Sequence, residues 1–234
     1  MPPSASGKTI PVPDYLRVHY WWAYVHPRAV RFFERQWLVN LILWGNYNRL
    51  RSAALALMGQ PVRGRLLQVA CAYGDITPVL VGRLDHQASL DIVDILPVQL
   101  GNLGRKLGPD DRVHMHCMNA ASLRFDAGSF DQVLLFFLLH EQPAEVREQT
   151  LREAARVLRP GGHMVIVDYS RPAWFNPFRY FWKPLLKVIE PFSADLLDHG
   201  IARWIPQGEG LRIVEHRSVF GRLDQVLLIE KAAA

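Results

Sequence analysis

The chain has 234 residues, of which 50% are hydrophobic, and its formal net charge is +5. This length suits one α/β domain with an added segment, and the hydrophobic share is enough for a sizeable core. The two cysteines exclude a disulfide scaffold, and the modest charge is spread along the chain, so no nucleic-acid partner is expected.

The amino terminus has the composition of a tail. Residues 1–13 contain four prolines and few apolar residues, which predicts a flexible segment. No long apolar stretch follows a basic start, so no signal peptide is expected and the protein is expected to be cytoplasmic. The longest charge-free stretch, residues 36–48, is too short to span a bilayer and includes Asn40, Gly45 and Asn46.

A helical and unusually aromatic extension is predicted over residues 14–58. Apolar residues recur in it at steps of three and four, the spacing of one helix face, and a helix packed on the core is the favoured interpretation. The members of this stripe are Val30, Phe33, Trp37, Leu41 and Trp44. The rings that exceed what packing alone requires are Tyr20, Trp21, Trp22 and Tyr24.

Strands and helices alternate from residue 65 onward. Strands are predicted at 65–70, 89–94, 112–117, 130–137 and 163–169, and helices at 77–84, 97–107 and 143–158. This alternation implies a Rossmann-like, mostly parallel sheet covered by helices, within an α/β domain at 64–234. Two further strands, at 211–220 and 224–230, are joined by a tight turn, which predicts an antiparallel edge hairpin.

The loop after the first strand is typical of a nucleotide-cofactor site that has lost two glycines. The strand ends near Val69, and Ala70 and Ala72 stand where such loops usually carry glycine. Thr77 is predicted to cap the next helix and Pro78 to open it. The N–H groups of that helix start, at the carboxyl end of a strand, predict a ligand site.

Polar residues follow the later strands at the same edge. Asp94 is expected to accept hydrogen bonds from a ribose diol, the alternative being a solvated carboxylate. Asn119 either pairs with an adenine edge or forms an Asx turn. His140 either carries a proton or binds a metal, or it caps the next helix. With Asp75 and Asp168 it could form a site for a divalent ion.

The order of these features resembles a class I S-adenosylmethionine-dependent methyltransferase over residues 64–230. The run LREAARVLRPGG at 151–162 is highly typical of that class. The other shared features are the loop at 68–75, Asp94, Asn119-Ala120, Ser129-Phe130-Asp131 and His140. The chain departs from the class at Gln68, at the sequence ACAYGD over 70–75 and at Asn119, where the class usually has an acid, a glycine-rich turn and an Asp.

Those departures, with the aromatic segments at 20–27 and 37–40, make the chain similar to the rhodoquinone biosynthesis methyltransferase-like enzymes from Pro13 onward. The resemblance implies conversion of ubiquinone to rhodoquinone, in which an amino group replaces a ring methoxy group. It further implies S-adenosylmethionine as the amino donor and Mn²⁺ as a metal cofactor.

The resemblance also implies a set of site residues. Those expected to bind the cofactor are Val69, Ala70, Tyr73, Gly74, Asp94, Ile95, Asn119, Ala120 and Phe137. Those expected to handle protons or to shape the reactive end of the cofactor are Tyr73, Asp75, His140 and Tyr169. Two alternatives remain open: a conventional methyltransferase acting on a lipophilic quinone-like or lipid molecule, and a regulatory module that binds the cofactor without catalysis.

Aromatic surface predicts peripheral attachment to the inner membrane. The insertion at 171–192 interleaves rings with cations and is broken by prolines into pieces too short to span a bilayer. Aromatic rings favour the bilayer interface and nearby cations favour anionic lipid. The rings are Trp174, Phe175, Phe178, Tyr180, Phe181 and Trp182, and the cations are Arg179, Lys183 and Lys187. The alternative is a lid or a dimer interface.

Overall fold

A computed structural model describes residues 11–177, 180, 184–186 and 189–233. Within these residues one sheet of seven strands has the order β3-β2-β1-β4-β5-β7-β6, and β7 runs antiparallel to β5 and β6. The strands are β1 Arg65–Val69, β2 Ser89–Asp94, β3 Val113–Cys117, β4 Phe130–Phe136, β5 Leu158–Tyr169, β6 Leu211–Val219 and β7 Asp224–Lys231. The predicted Rossmann-like sheet with an antiparallel edge hairpin is confirmed.

Helices cover both faces of the sheet. They are α1 Asp14–His19, α2 Pro27–Phe33, α3 Gln36–Ile42, α4 Tyr47–Met58, α5 Ile76–Val81, α6 Pro97–Leu107, α7 Ala144–Val157 and α8 Ser193–His199. One core layer joins α4, α5 and α6 to the sheet, and the other joins α7 and α8 to its opposite face. Because α4 packs against β5 and β7, the amino-terminal extension supplies part of the core.

The helix after the first strand begins earlier than predicted. Asp75 is its N-cap and Ile76 its first residue, so Thr77 and Pro78 lie inside the first turn. The side chain of Thr77 is buried, and its hydroxyl donates to Oε1 of Gln68 at 3.0 Å. Thr77 therefore ties the helix to the strand beneath it, and the prediction that it caps the helix is wrong.

The predicted apolar stripe does not form one packed face. The helix breaks between Phe33 and Gln36, which changes the phase of the following helix, so that Val39 and Leu43 face inward. The stripe members Trp37 and Leu41 are 58% and 63% exposed, and Trp44 is also exposed. The interpretation of a helix packed on the core through this stripe is therefore wrong for its second half.

Part of the aromatic insertion lies outside the described residues. This applies to Phe178, Arg179, Phe181, Trp182, Lys183 and Lys187. Trp174, Phe175 and Tyr180 are described, and their side chains are exposed. No helix in the described part of the chain is long and apolar enough to cross a membrane.

Candidate active site

A cavity opens above the carboxyl ends of β1, β2, β4 and β5, where open α/β sheets bind ligands. Its floor includes Ala70, Asp94, Phe137 and Tyr169, each of which ends or follows one of these strands. The other side is formed by the amino-terminal extension, which contributes Tyr20, Trp22, Tyr24, Leu43 and Tyr47. The site is therefore closed by a part of the chain that precedes the sheet.

Two residues of the floor have left-handed backbone conformations. Ala70 has φ 72° and Phe137 has φ 54°. Such conformations are uncommon for residues other than glycine and cost about 1–2 kcal/mol each. Ala70 occupies one of the loop positions where glycine was expected, so the chain keeps a glycine-like backbone there but adds a methyl group at the cavity wall.

Three backbone N–H groups at the start of α5 donate hydrogen bonds to side chains of the extension. The N–H groups of Asp75 and Ile76 donate to the hydroxyl of Tyr47 at 2.8 and 2.9 Å, and the N–H of Gly74 donates to Glu34 at 3.1 Å. Gly74 has φ 86°, and a Cβ there would approach the Tyr47 hydroxyl to 2.5 Å. The anion site predicted from the exposed N–H groups of this helix is thus filled by the extension.

Asp94 lies in the cavity wall, and its carboxylate also fixes the backbone of the loop after β1. Its carboxylate accepts hydrogen bonds from the backbone N–H groups of Cys71 and Leu96, both at 2.8 Å. Burial raises the pKa of Asp94 to about 6, against the effect of these hydrogen bonds. Each carboxylate oxygen has a second lone pair, so Asp94 can support the loop and accept a ribose hydroxyl.

Asn119 forms the expected Asx turn, and its pairing with an adenine edge stays a prediction. Its Oδ1 accepts from the N–H of Ala121 at 2.9 Å, which makes an Asx turn, and the residue also lines the cavity. The turn uses the amide oxygen and leaves the NH₂ group as a donor. Apolar wall residues nearby in the chain are Ile95, Met118, Ala120 and Leu138. A flat, weakly polar ring such as adenine suits these surroundings.

His140 is oriented by a buried carboxylate. Its Nδ1 lies 2.8 Å from Oδ1 of Asp168, and the His140 side chain is only 4% exposed. Burial opposes the charge on His140, but Asp168 and then Glu190 outweigh it and raise its pKa to about 10. These carboxylates favour the imidazolium form of His140 paired with Asp168, the form in which Nε2–H is a donor at the cavity wall.

Two carboxyl groups that the sequence analysis missed lie beside His140. Glu141 and Glu190 each have Oε1 at 3.7 Å from its Nε2. The hydroxyl of Tyr24 donates to Glu141. Burial raises the pKa of Glu141 to about 8. Glu141 follows His140 directly and could have been suspected, whereas the position of Glu190 depends on the fold of the insertion and has no local signal.

Tyr73 connects the loop to the extension. Its hydroxyl donates to the carbonyl of Ala23 at 2.7 Å and accepts from Nε2 of Gln99 at 3.0 Å. Its ring stacks on Tyr24 with centroids 5.4 Å apart. Burial raises the pKa of Tyr73 well above its ordinary value. With its hydroxyl engaged in this way, Tyr73 holds the extension over the cavity, and its ring lines the cavity wall.

The predicted metal site is not formed. Asp75 is ion-paired with Arg51 and does not line the cavity, whereas His140 pairs with Asp168. Among the residues described, no three His, Cys, Asp or Glu side chains are arranged to hold a metal ion. The predicted donor set of Asp75, His140 and Asp168 therefore does not fit the expected Mn²⁺, because Arg51 pairs with one of its two carboxylates and His140 pairs with the other.

The predicted site residues thus divide into two groups. Those that line the cavity are Ala70, Tyr73, Asp94, Ile95, Asn119, Ala120, Phe137, His140 and Tyr169. Those that lie behind its wall are Val69, Gly74, Asp75 and Asp168. Val69 is buried in the core beneath the loop, and Asp168 acts through His140.

Comparison with known proteins places residues 66–162 in the methyltransferase domain family. A demethylmenaquinone methyltransferase from Clavibacter sepedonicus is 34% identical over 199 residues, covering 77% of this chain and 79% of the relative. A second, from Bacillus licheniformis, is 26% identical, and a ubiquinone/menaquinone biosynthesis C-methyltransferase from Nitrosospira multiformis is 27% identical. The match spans 66% and 64% of the lengths of these last two relatives.

Solved structures share the fold. The mitomycin 7-O-methyltransferase MmcR has a TM-score of 0.65 and 17% identity, covering 94% of this chain and 61% of that one. The N-methyltransferase NodS from Bradyrhizobium japonicum WM9, in complex with S-adenosyl-L-homocysteine, has a TM-score of 0.55 and 15% identity, with coverages of 79% and 86%.

Proposed function

The chain belongs to the class I S-adenosylmethionine-dependent methyltransferase family, and from that premise we propose that it modifies a lipophilic, quinone-type ring. The observation that carries the proposal is the cavity at the carboxyl edge of the sheet. It combines a cofactor side, with Asp94 and Asn119, and an acidic, aromatic side, with His140 and Glu141. Relatives named for menaquinone and ubiquinone methylation support a quinone-type acceptor.

S-adenosylmethionine supplies an electrophilic methyl group when bound. Asp94 would accept the ribose hydroxyls and the amide NH₂ of Asn119 would donate to the adenine edge, since both residues face the cavity. His140 would donate its Nε2–H to a ring oxygen of the acceptor, where negative charge develops as a ring carbon becomes nucleophilic. Asp168 keeps His140 charged and oriented for that task. In methyl transfer the ring carbon would gain CH₃, S-adenosylhomocysteine would be the leaving group, and the proton of the ring carbon would pass to water.

A second candidate is exchange of a ring methoxy group for an amino group, converting ubiquinone to rhodoquinone with the cofactor as amino donor. The observation that favours it is the start of α5. There, Glu34 and Tyr47 accept hydrogen bonds from the N–H groups of Gly74, Asp75 and Ile76. A cofactor bound beside this loop must find other partners for its methionyl end, which could bring its amine toward the acceptor. No group of the described residues fits a metal ion, so this candidate is proposed without one.

Product mass separates the candidates. The purified protein is incubated with S-adenosylmethionine and a short-chain ubiquinone, its demethylated precursor or demethylmenaquinone, each in quinone and hydroquinone forms. Methyl transfer adds one CH₂ to the mass, whereas methoxy-to-amino exchange lowers the mass. Cofactor binding with neither product in any pairing would contradict both candidates and favour a regulatory module.

We also propose that the protein works at the surface of the inner membrane. The extension carries exposed apolar side chains that we take as one aromatic face, defined by Trp22, Phe32, Trp37, Leu41, Ile42 and Trp44. Trp22 and Ile42 also line the cavity, so this face is continuous with its mouth. Exposed Arg28, Arg31 and Arg35 lie in the same segment and favour anionic lipid. A long-tailed acceptor would then enter directly from the bilayer.

Liposome flotation tests this attachment. Wild type should float with anionic liposomes at low salt, and a Trp37→Ser, Leu41→Ser, Trp44→Ser variant should not, because the rings and apolar chains that enter the interface are gone. Val214→Ser, on exposed β6, is the matched control and should float like wild type. Failure of wild type to float, or equal flotation of the triple variant, would refute the membrane face.

A further inference from the structure

We propose that Tyr24, His140, Glu141 and Glu190 form an acceptor subsite that binds an oxygen substituent of a planar ring. The amino-terminal extension completes the subsite by contributing Tyr24. This proposal deepens the proposed function and rests on it, because it assigns the acceptor's position within the same cavity. The four polar residues that define it are not among the expected cofactor-binding residues.

The arrangement around His140 leaves its outer nitrogen without a hydrogen-bond partner among the described residues. Nδ1 is engaged by Asp168 at 2.8 Å, whereas Nε2 faces Oε1 of Glu141 and Oε1 of Glu190, each at 3.7 Å. A separation of 3.7 Å is an ion-pair contact and too long for a hydrogen bond. The His140 side chain is only 4% exposed, so a group that donates strongly lies almost fully buried at the cavity wall.

Glu190 also has a carboxyl group whose hydrogen-bonding capacity is not satisfied by the described residues. Among the described residues its Oε2 is buried without a hydrogen-bond partner, and its Oε1 receives a long contact of 3.4 Å from the hydroxyl of Tyr169. Buried polar atoms are normally paired, because leaving one unpaired costs about 1–3 kcal/mol. Both Glu190 and Tyr169 line the cavity. A ligand atom at this place would satisfy groups that the described chain leaves unsatisfied.

Tyr24 is held in place from three directions. Its hydroxyl donates to Glu141, its ring stacks on Tyr73, and its carbonyl accepts from Nε2 of Gln99 at 3.3 Å. It stands in a π-helical turn, Trp21–Val25, a form that occurs often at functional sites. The extension therefore sets the position of Glu141, one of the two carboxyl groups that face His140.

The chemistry of the subsite selects an oxygen on an aromatic or quinonoid ring. His140 and a protonated Glu141 donate to a carbonyl oxygen, and an ionised carboxylate accepts from a hydroxyl, so the same groups serve both redox forms of such a ring. Burial, which raises the pKa of both Glu141 and Glu190, keeps donors available near neutral pH. The walls are the rings of Phe137 and Tyr169, which lie 5.7 Å apart between centroids.

Ring binding measured without turnover tests the subsite. A short-chain ubiquinone analogue and its hydroquinone are titrated into the full-length protein, and quenching of tryptophan fluorescence reports binding, since Trp22 lines the cavity. Tyr24→Phe, Glu141→Gln and Glu190→Gln should each weaken ring binding by about tenfold, because the first frees Glu141 from its hydrogen bond and the other two change a group placed to contact the ring oxygen. Their affinity for S-adenosylmethionine, measured by calorimetry, should stay within about twofold of wild type.

Glu145→Gln is the matched control, because Glu145 is exposed on α7 and should bind both ligands like wild type. Tyr24→Phe keeps the ring and its stacking, so it remains informative if a Glu variant fails to fold. Unchanged ring affinity in Tyr24→Phe and Glu141→Gln would overturn the subsite and leave the proposed function standing. Ring binding that depends on these residues, with no product formed, would refute the function and keep the subsite. No ring binding by wild type would overturn both.

Discussion

Asp94 shows how one buried carboxylate joins the loop to the ligand cavity. It fixes the backbone of Cys71 and Leu96 and still faces the cavity. Burial raises its pKa to about 6, so the carboxylate takes up a proton only slightly below neutral pH. A ribose bound there would lose one of its acceptors at that point.

The affinity for S-adenosylmethionine should therefore fall as the pH drops through about 6. Asp94→Asn should weaken binding by about tenfold at pH 7.5, because the amide keeps one acceptor oxygen but loses the charge. The variant should also lose the pH dependence. Calorimetric titration at a series of pH values checks both points, and an Asn variant that binds like wild type would remove Asp94 from the ribose.

The Ala70→Gly variant tests the effect of having alanine at a loop position where glycine was expected. Because its φ is 72°, Ala70→Gly should raise the free energy of unfolding by about 1 kcal/mol. If the methyl group shapes the cofactor's pose, the same variant should change cofactor affinity or product identity. Denaturant unfolding and the product assay check this; Ala72→Gly, at the other missing glycine of the loop, serves as comparison. A destabilised Ala70→Gly would contradict the strain argument.

Some site residues could be predicted because parallel strands place their carboxyl ends at one edge. Asp94, Asn119 and His140 each follow a strand, and all three line the cavity. Asp75 could not be placed in the same way, because its direction is set by Arg51 on α4. Glu190 could not be predicted as a site residue, because the sequence does not indicate how the insertion returns to the sheet.

At the scale of elements, α4 is a structural cap for α5. The Tyr47 hydroxyl accepts from two N–H groups at the start of α5, which have no partner within the helix. Tyr47 is fully buried. This arrangement replaces the side-chain cap that Thr77 was predicted to supply.

Tyr47→Phe should lower the free energy of unfolding by about 2 kcal/mol, since it leaves buried N–H groups unpaired and keeps the ring packing. Denaturant unfolding of wild type and variant measures the loss. A change below about 0.5 kcal/mol would show that water or a rearranged backbone replaces the hydroxyl. Cofactor affinity measured beside it reports how much the loop depends on α4.

The extension also shows why the spacing of its apolar residues gave a wrong prediction for its helices. A continuous helix would have aligned Val30 with Trp37 and Leu41, but the break after Phe33 turns α3 so that Val39 faces inward. Neither proline nor glycine marks this break in the sequence. The strands were easier to predict, because their apolar runs are long and bounded by turns.

For the whole molecule, the buried Glu141 contributes to the pH dependence of stability. Burial raises the pKa of Glu141 from 4.5 to about 8, with His140, Tyr24 and Glu190 facing it. The folded protein keeps a proton that the unfolded chain releases, so this contribution is fully present below about pH 4.5 and is lost as the pH rises through about 8.

Glu141→Gln should therefore flatten the fall in unfolding free energy between these pH values, by about 1 kcal/mol or more. Denaturant unfolding at several pH values measures the slope, with Glu145→Gln on the surface of α7 as the control that keeps it. A variant with the slope of wild type would show that Glu141 ionises normally in the folded protein.

The architecture of the sheet followed from the sequence, because strand–helix alternation constrains parallel topology. The closure of the cavity did not, since it depends on contacts between residues 14–58 and the loops at the sheet edge. Tyr73 with Ala23 and Gly74 with Glu34 are examples of such contacts. The molecule is thus a methyltransferase-type sheet whose ligand site is completed from the amino terminus.

The most direct test of the proposed transfer follows isotope-labelled atoms from the cofactor to the ring. The protein is given S-adenosylmethionine labelled with deuterium in its methyl group and heavy nitrogen in its amino group, together with the quinone and hydroquinone acceptors. The account predicts that one label appears in the ring product: deuterated methyl for methyl transfer, or heavy nitrogen for methoxy-to-amino exchange. A protein that binds the labelled cofactor and transfers neither label to any ring would contradict it.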